Sequence, residues 1–331
     1  MANLRNNLGR VGLNTFFFLL IAMIFLAKFF PEWGTSDSPL PLKGITGAGI
    51  SFIFFFYGVK LSPQKLWEGL ANWKLHIVVQ ATTFFVFPIV VLIFYGLFGE
   101  EGNYLWLGTF YLAALPSTVS SSVVMVSIAG GNLPAAIFNA SISSMVGIFI
   151  TPIWMDIMLP ETSVSFDLTD TFFKLSLQVL FPVIIGLLLH KQLIGFVEKN
   201  QKTLKNFDQG IILLIVFTAF AESFAEDMFS GHTNAELFGL SFLMLAFFGF
   251  MLVLMYFISK GFRFSREDTT TVMFCGSKKS LVQGAVMGRV MFPDPVVFGV
   301  ILLPLMIYHA LQLMAGSALA QRMGEKKMEK N

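Results

Sequence analysis

The sequence predicts an all-α polytopic membrane protein: ten transmembrane helices arranged as two inverted five-helix repeats. Three observations carry this. The chain of 331 residues is 55% hydrophobic and only 13% charged, with a mean hydropathy of +0.74. A soluble domain carries roughly 25% charged residues, so this chain cannot cover a water-facing surface. Ten apolar runs follow one another with no polar stretch long enough for a soluble domain. Two of those runs, in corresponding positions of the two halves, are interrupted near their middles.

The runs are 13–30, 44–59, 75–98, 104–128, 133–159, 171–189, 210–224, 237–258, 269–292 and 296–319. A bilayer span needs roughly 20 apolar residues. The second and seventh are short for that. The longest polar stretch runs from His190 to Gln209. The first run follows Arg5 and Arg10, as a signal peptide would. It ends in Lys28-Phe29-Phe30-Pro31 with no small-residue cleavage site, which predicts a retained helix.

Basic residues orient the chain. With a cytoplasmic N-terminus and ten alternating helices, the cytoplasmic segments hold Arg5, Arg10, Lys60, Lys65, Lys74, Lys191, Lys199, Lys202, Lys205, Lys260, Arg263, Arg266, Arg322, Lys326, Lys327 and Lys330, 16 of the 22. The other side keeps Lys28, Lys43, Lys174 and Arg289, and Lys278 and Lys279 lie inside the ninth run. This positive-inside bias predicts an integral membrane protein with both termini cytoplasmic, and the inner (plasma) membrane is its expected location. Doubling shows in Thr15-Phe16-Phe17 with Leu19, which recurs as Thr171-Phe172-Phe173 with Leu175 at an offset of 156, and in Pro134 and Pro295 opening the fifth and tenth runs. Five helices per half turns the second half over, the inverted plan of many secondary transporters. The halves are expected at 1–160 and 161–331.

Several functions are excluded. A net charge of +2 is too small to suggest nucleic acid, and the single Cys275 excludes a disulfide framework. His76, His190, His232 and His309 are far apart, and no HExxH, Walker A or GxGxxG motif occurs. No enzyme activity, metal centre or organic cofactor is expected. An intramembrane hydrolase is a poor fit, because no histidine or acid is placed in sequence to activate one of the many serines.

The interruptions carry the chemistry. The fourth run contains Pro116, then Ser117, Thr118, Ser120, Ser121 and Ser122: five hydroxyls in six positions. The ninth contains Cys275-Gly276-Ser277-Lys278-Lys279-Ser280. A proline removes a backbone donor. Unpaired backbone groups are tolerated at membrane depth only inside protein or beside a cavity. Paired breaks are the sequence pointer to a transport site, and each exposes a half-helix N-terminus that favours anions. The hydroxyls alone could serve only helix packing. A mid-bilayer lysine costs about 2.5–3.5 kcal/mol even on the translocon scale, so at least one of the two is expected to face an aqueous cavity.

At these residues the chain resembles the bile acid/sodium symporter superfamily, most closely the branch of bacterial bile acid:sodium symporter-like proteins and solute carrier family ten member seven. The likeness rests on Ala114–Val123 at the fourth helix and on Gly130-Gly131-Asn132 with Ala136-Ile137-Phe138-Asn139 at the fifth. It rests also on Phe55–Ser62 at the end of the second, and on Lys279-Ser280-Leu281 with Gly284 at the ninth. The resemblance implies a panel of helices 1, 2, 6 and 7 and a core of helices 3–5 and 8–10. Helices 4 and 9 would cross where they are unwound, with substrate between core and panel. In sodium-coupled relatives, two ions are held by a Ser-Asn pair of helix four, polar residues of helix five, and a Glu with a Gln in helix nine. In this chain Ser121-Ser122 stand for the pair, and no acid occurs between Asp268 and Asp294. Gln80, Asn139 and Ser141 are the remaining polar candidates. That departure counts against sodium coupling. Lys279, or else Lys278, is expected to act as a built-in cation. Desolvation disfavours the charged form of a lysine, so the cycle would be proton-linked or uncoupled.

The function expected is a secondary transporter moving a small organic anion by alternating access in membrane lipid. The alternative is a non-transporting membrane regulator of ion homeostasis, calcium included. Asp156, Glu161, Asp167 and Asp170 are expected in a solvated loop, and Glu222, Glu226 and Asp227 at a wetted helix end. Trp33, Trp67, Trp73, Trp106 and Trp154 are expected as interfacial anchors. His309 is expected to pack rather than to line the site.

Overall fold

The computed structural model describes residues 15–35, 38–60, 72–99, 102–158, 173, 176–225 and 234–328. The expected boundary at 160 and 161 lies outside the described residues. So do Arg5, Arg10, Lys65, Trp67, Glu161, Asp167, Asp170, Lys174, Glu226, Asp227, His232 and Lys330.

All regular structure among the described residues is helical. In chain order the helices are α1 (Thr15–Phe29), α2 (Leu42–Lys60), α3 (Trp73–Phe98), α4 (Tyr104–Ala114), α5 (Ser120–Ile128), α6 (Leu133–Met158), α7 (Phe181–Leu188), α8 (His190–Lys199), α9 (Gln201–Ala225), α10 (Asn234–Gly261), α11 (Arg266–Gly276), α12 (Leu281–Met291) and α13 (Pro295–Met328). Among the described residues α3, α6, α9, α10 and α13 are each long and apolar enough to cross a membrane unaided. Together with the composition, this makes the chain a polytopic membrane protein. A sixth candidate is the pair α7 and α8, bent by 97°. The fourth and ninth runs are not continuous helices: each is split in two, as α4 with α5 and α11 with α12.

Local chemistry sets the starts. Asn103 accepts from the Leu105 N–H at 2.9 Å to open α4. Ser265 accepts from the Asp268 N–H at 3.0 Å to open α11. Such caps satisfy donors that a helix N-terminus leaves orphaned. Helix packing then depends on small residues. α2 lies against α7 so closely that a Cβ on Gly58 would strike the Val183 carbonyl, and one on Gly186 the Phe55 carbonyl.

The polar stretch from His190 to Gln209 is helical: it forms α8 and the first turns of α9. In α8, Val197 is buried beside Val59 and Leu204 while Lys191, Gln192, Glu198 and Lys199 face outward. That is an amphipathic surface helix, whose polar face lowers its average hydropathy. The seventh run accordingly begins nine residues earlier than its apolar part, at Gln201. Asp156 is an exposed residue of α6 rather than part of a loop. Trp154, near the end of α6, is half-buried and donates from Nε1 to the Phe84 carbonyl at 2.6 Å.

Candidate functional site

Two prolines prepare the site. Pro88 has no N–H to give the carbonyl one turn back, and α3 widens into a π turn over Thr82–Val86. The Phe87 N–H goes to the Thr82 carbonyl, so the Thr83 carbonyl loses its helical partner. In the fourth run, Pro116 ends α4, with Leu115 extended at φ −71° and ψ 154°, as the residue before a proline prefers. The Ser117 N–H leaves the helix and donates to Ser143 Oγ of α6 at 2.9 Å. The last carbonyls of α4 are thereby freed. Thr151 Oγ1 takes that of Ala114 at 2.9 Å.

The other freed carbonyls converge on one group. Lys279 Nζ donates to the carbonyls of Thr83 at 2.7 Å, Ala113 at 2.6 Å and Leu115 at 2.8 Å. An ammonium has three N–H donors, and all are used. The Phe87 ring completes the cage, 4.2 Å from Nζ to its centroid. The carbonyl end of α4 is the negative end of its dipole, which favours a cation there.

The second break is held as fully. The Lys279 N–H donates to Gln312 Oε1 at 2.9 Å, and Gln312 Nε2 donates to the Lys279 carbonyl at 2.7 Å. His309 Nδ1 lies 2.9 Å from the same Nε2, so His309 supports the amide from behind. Tyr308 Oη donates to the Ser277 carbonyl at 2.6 Å. The two breaks also touch directly. The Ser280 N–H donates to the Pro116 carbonyl at 3.0 Å. Ser117 Oγ donates to the Cys275 carbonyl at 2.6 Å, and Ser122 Oγ to that of Phe274 at 3.3 Å. Buried backbone groups must be paired, and here each break pairs those of the other.

Lys278 is held differently. Its Nζ donates to the Ser121 carbonyl at 3.2 Å and touches Met125 Sδ, with the Phe274 ring 5.6 Å away. One carbonyl thus replaces three. Both lysines are fully buried, at 0% exposure. The expectation that one faces an aqueous cavity fails in this conformation, because backbone carbonyls provide the polar surroundings that water was expected to provide.

Thr118 and Ser121 complete the first break as a hydroxyl chain with Ser122, each link 2.8 Å. The side chain of Ser120 lies outside the described residues. Ser277 Oγ donates back to the Met273 carbonyl at 2.6 Å, and Ser280 Oγ caps α12 by accepting from the Gln283 N–H at 3.3 Å. Gln80 and Asn139 come together beside the crossing rather than in it. Gln80 Nε2 is 3.1 Å from Asn139 Oδ1, and Asn139 Nδ2 is 2.9 Å from His76 Nδ1. Ser141 is not brought to the crossing. Its hydroxyl bonds the Ile137 carbonyl at 3.0 Å, while its own carbonyl accepts from Tyr57 Oη at 3.0 Å. Sequence reasoning missed Thr83, Ser143, Tyr308 and Gln312. The signal for Gln312 was a lone amide in an apolar run. For Thr83 it was a threonine pair one turn ahead of Pro88.

Protein PA2026 of Pseudomonas aeruginosa is 38% identical over 95% of this chain and 94% of its own length. YfeH of Escherichia coli K12 is 35% identical over 94% of this chain and 92% of its own. The sodium/bile acid cotransporter 7-B of Xenopus laevis is 31% identical over 94% of this chain and 92% of its own. The family model that describes such proteins matches residues 14–325, both broken helices included, and the chain therefore belongs to the SBF-like CPA transporter family.

Proposed function

We propose that this protein is a secondary transporter that carries a small organic anion by alternating access, with Lys279 fixed where sodium-using relatives hold an ion. The observation that carries this reading is the three-carbonyl cage around the Lys279 ammonium, at the meeting point of two broken helices. A membrane protein needing only stable packing would keep both helices whole. This one leaves backbone groups open and then closes them with a side-chain cation. Ten spans in two inverted halves, with α1, α2, α7 and α9 as panel and α3–α6 with α10–α13 as core, are part of the reading. So is a cytoplasmic location for both termini.

The same cage argues against sodium. Sodium wants oxygen ligands with negative charge nearby. The carbonyls that would serve are already taken by Lys279, and no acid occurs between Asp268 and Asp294. A relative's name mentions sodium and bile acid, and neither is carried over to this chain. Lys279, or else Lys278, supplies the positive charge that sodium brings elsewhere, and the cycle is proton-linked or uncoupled. Uptake of a labelled organic-acid mixture into proteoliposomes tests the reading. Accumulation is expected with potassium or choline replacing sodium. No uptake under any ion or proton gradient would contradict it and favour the non-transporting alternative.

A further inference from the structure

The described residues line an open cavity of about 230 Å³ far from the crossing. It lies between Gly34, Thr35 and the 38–42 stretch, Thr46 of α2, Thr218 and Glu222 of α9, Arg289 of α12 and Pro295 at the start of α13. Arg289 is ten residues past the Lys279 break, so about 15 Å further along at a helical rise. Its guanidinium is partly buried, and its Nη1 is buried without a hydrogen-bond partner among the described residues. A guanidinium presents a planar fork matched to a carboxylate, and Arg289 brings one to the lining of this cavity.

We propose that this cavity is a binding site for a small organic carboxylate of net charge no more negative than −1, anchored on Arg289. Glu222 sets the charge limit. It lines the same cavity, and its charge and that of Asp294 act on Arg289. A second negative charge on the ligand would meet a carboxylate, whereas a neutral or ammonium-bearing end would not. The Thr46 and Thr218 side chains add hydroxyls to the lining, each donating to a carbonyl of its own helix, at 2.9 Å to Leu42 and 3.1 Å to Ile215. Size sets the second limit. Sites for drug-sized ligands occupy roughly 300–1,000 Å³, so a steroid does not fit here in this conformation. As a first stop for the transported ion the cavity rests on the transporter reading; as a binding site it does not.

The test is equilibrium binding to the purified full-length protein in detergent, with potassium salts at matched ionic strength. Propionate and alanine are expected to bind saturably, and succinate and phosphate at least tenfold more weakly. Arg289→Gln should weaken propionate at least tenfold, and Arg289→Lys less. Glu222→Gln should bring succinate level with propionate. Unchanged propionate affinity in Arg289→Gln, or propionate binding no better than chloride, overturns the proposal. Should Arg289→Gln not fold, Arg289→Lys and the wild-type ranking decide the same question. Arg289-dependent binding without uptake sustains the site and removes the transporter reading. Uptake with Arg289-independent binding does the reverse.

Discussion

The Lys279 ammonium donates to the Leu115 carbonyl at 2.8 Å across 164 positions of sequence. The end of α4 is therefore closed by a side chain from the other broken helix, not by its own chain. Gln312, 33 positions on, holds both backbone groups of that same lysine. The crossing is a single unit in which side chains replace the missing helical turns.

Removing the ammonium tests the cage. Lys279→Met spares the cost of a buried charge, about 2.5–3.5 kcal/mol, but strands three carbonyls at about 1–3 kcal/mol each. The balance predicts a net loss on the order of 3 kcal/mol. The melting temperature of the detergent-purified protein should fall, and Lys279→Ala should be partly restored by millimolar methylammonium. Equal melting of wild type and Lys279→Met would show that the carbonyls do not depend on the lysine.

Gln312 offers a finer probe, because its two hydrogen bonds differ in direction. Gln312→Leu should cost about 2–6 kcal/mol by leaving the Lys279 N–H and carbonyl unpaired in the core, at about 1–3 kcal/mol each. Gln312→Glu keeps the acceptor for the N–H and loses the donor to the carbonyl. It should melt above the leucine variant, and the reverse order would mean that Gln312 merely fills space.

Orientation is testable at two exposed positions. Lys202→Cys at the start of α9 should react with an impermeant maleimide only from the cytoplasm, and Asp294→Cys only from outside. Cys275 is fully buried and gives little background. Labelling of both from one side would defeat the proposed arrangement of spans.

Much of the crossing was legible because its causes are local. Pro116 followed by hydroxyls, and two lysines beside Gly276 within an apolar run, mark breaks by the groups they remove or bury. The residues that close the breaks were not legible. Thr83, Ser143 and Gln312 reach the site from other helices, and one polar residue in an apolar run reads as packing until the partner is known. α8 was hidden for another reason: a helix at a polar boundary carries a charged face, and averaging hydropathy over both faces gives the value of a loop. Glu222 read as a wetted helix end because nothing in sequence joins it to Arg289.

Direct binding of sodium to the purified protein tests the central claim most closely, since it needs no knowledge of the substrate. Radioactive sodium measured by scintillation proximity, with potassium and choline as competitors, should show no saturable sodium-specific binding to the wild type, because the Lys279 ammonium already occupies the carbonyls of Thr83, Ala113 and Leu115. Saturable sodium binding that choline does not displace, and that persists in wild type with Lys279 intact, would contradict the built-in cation.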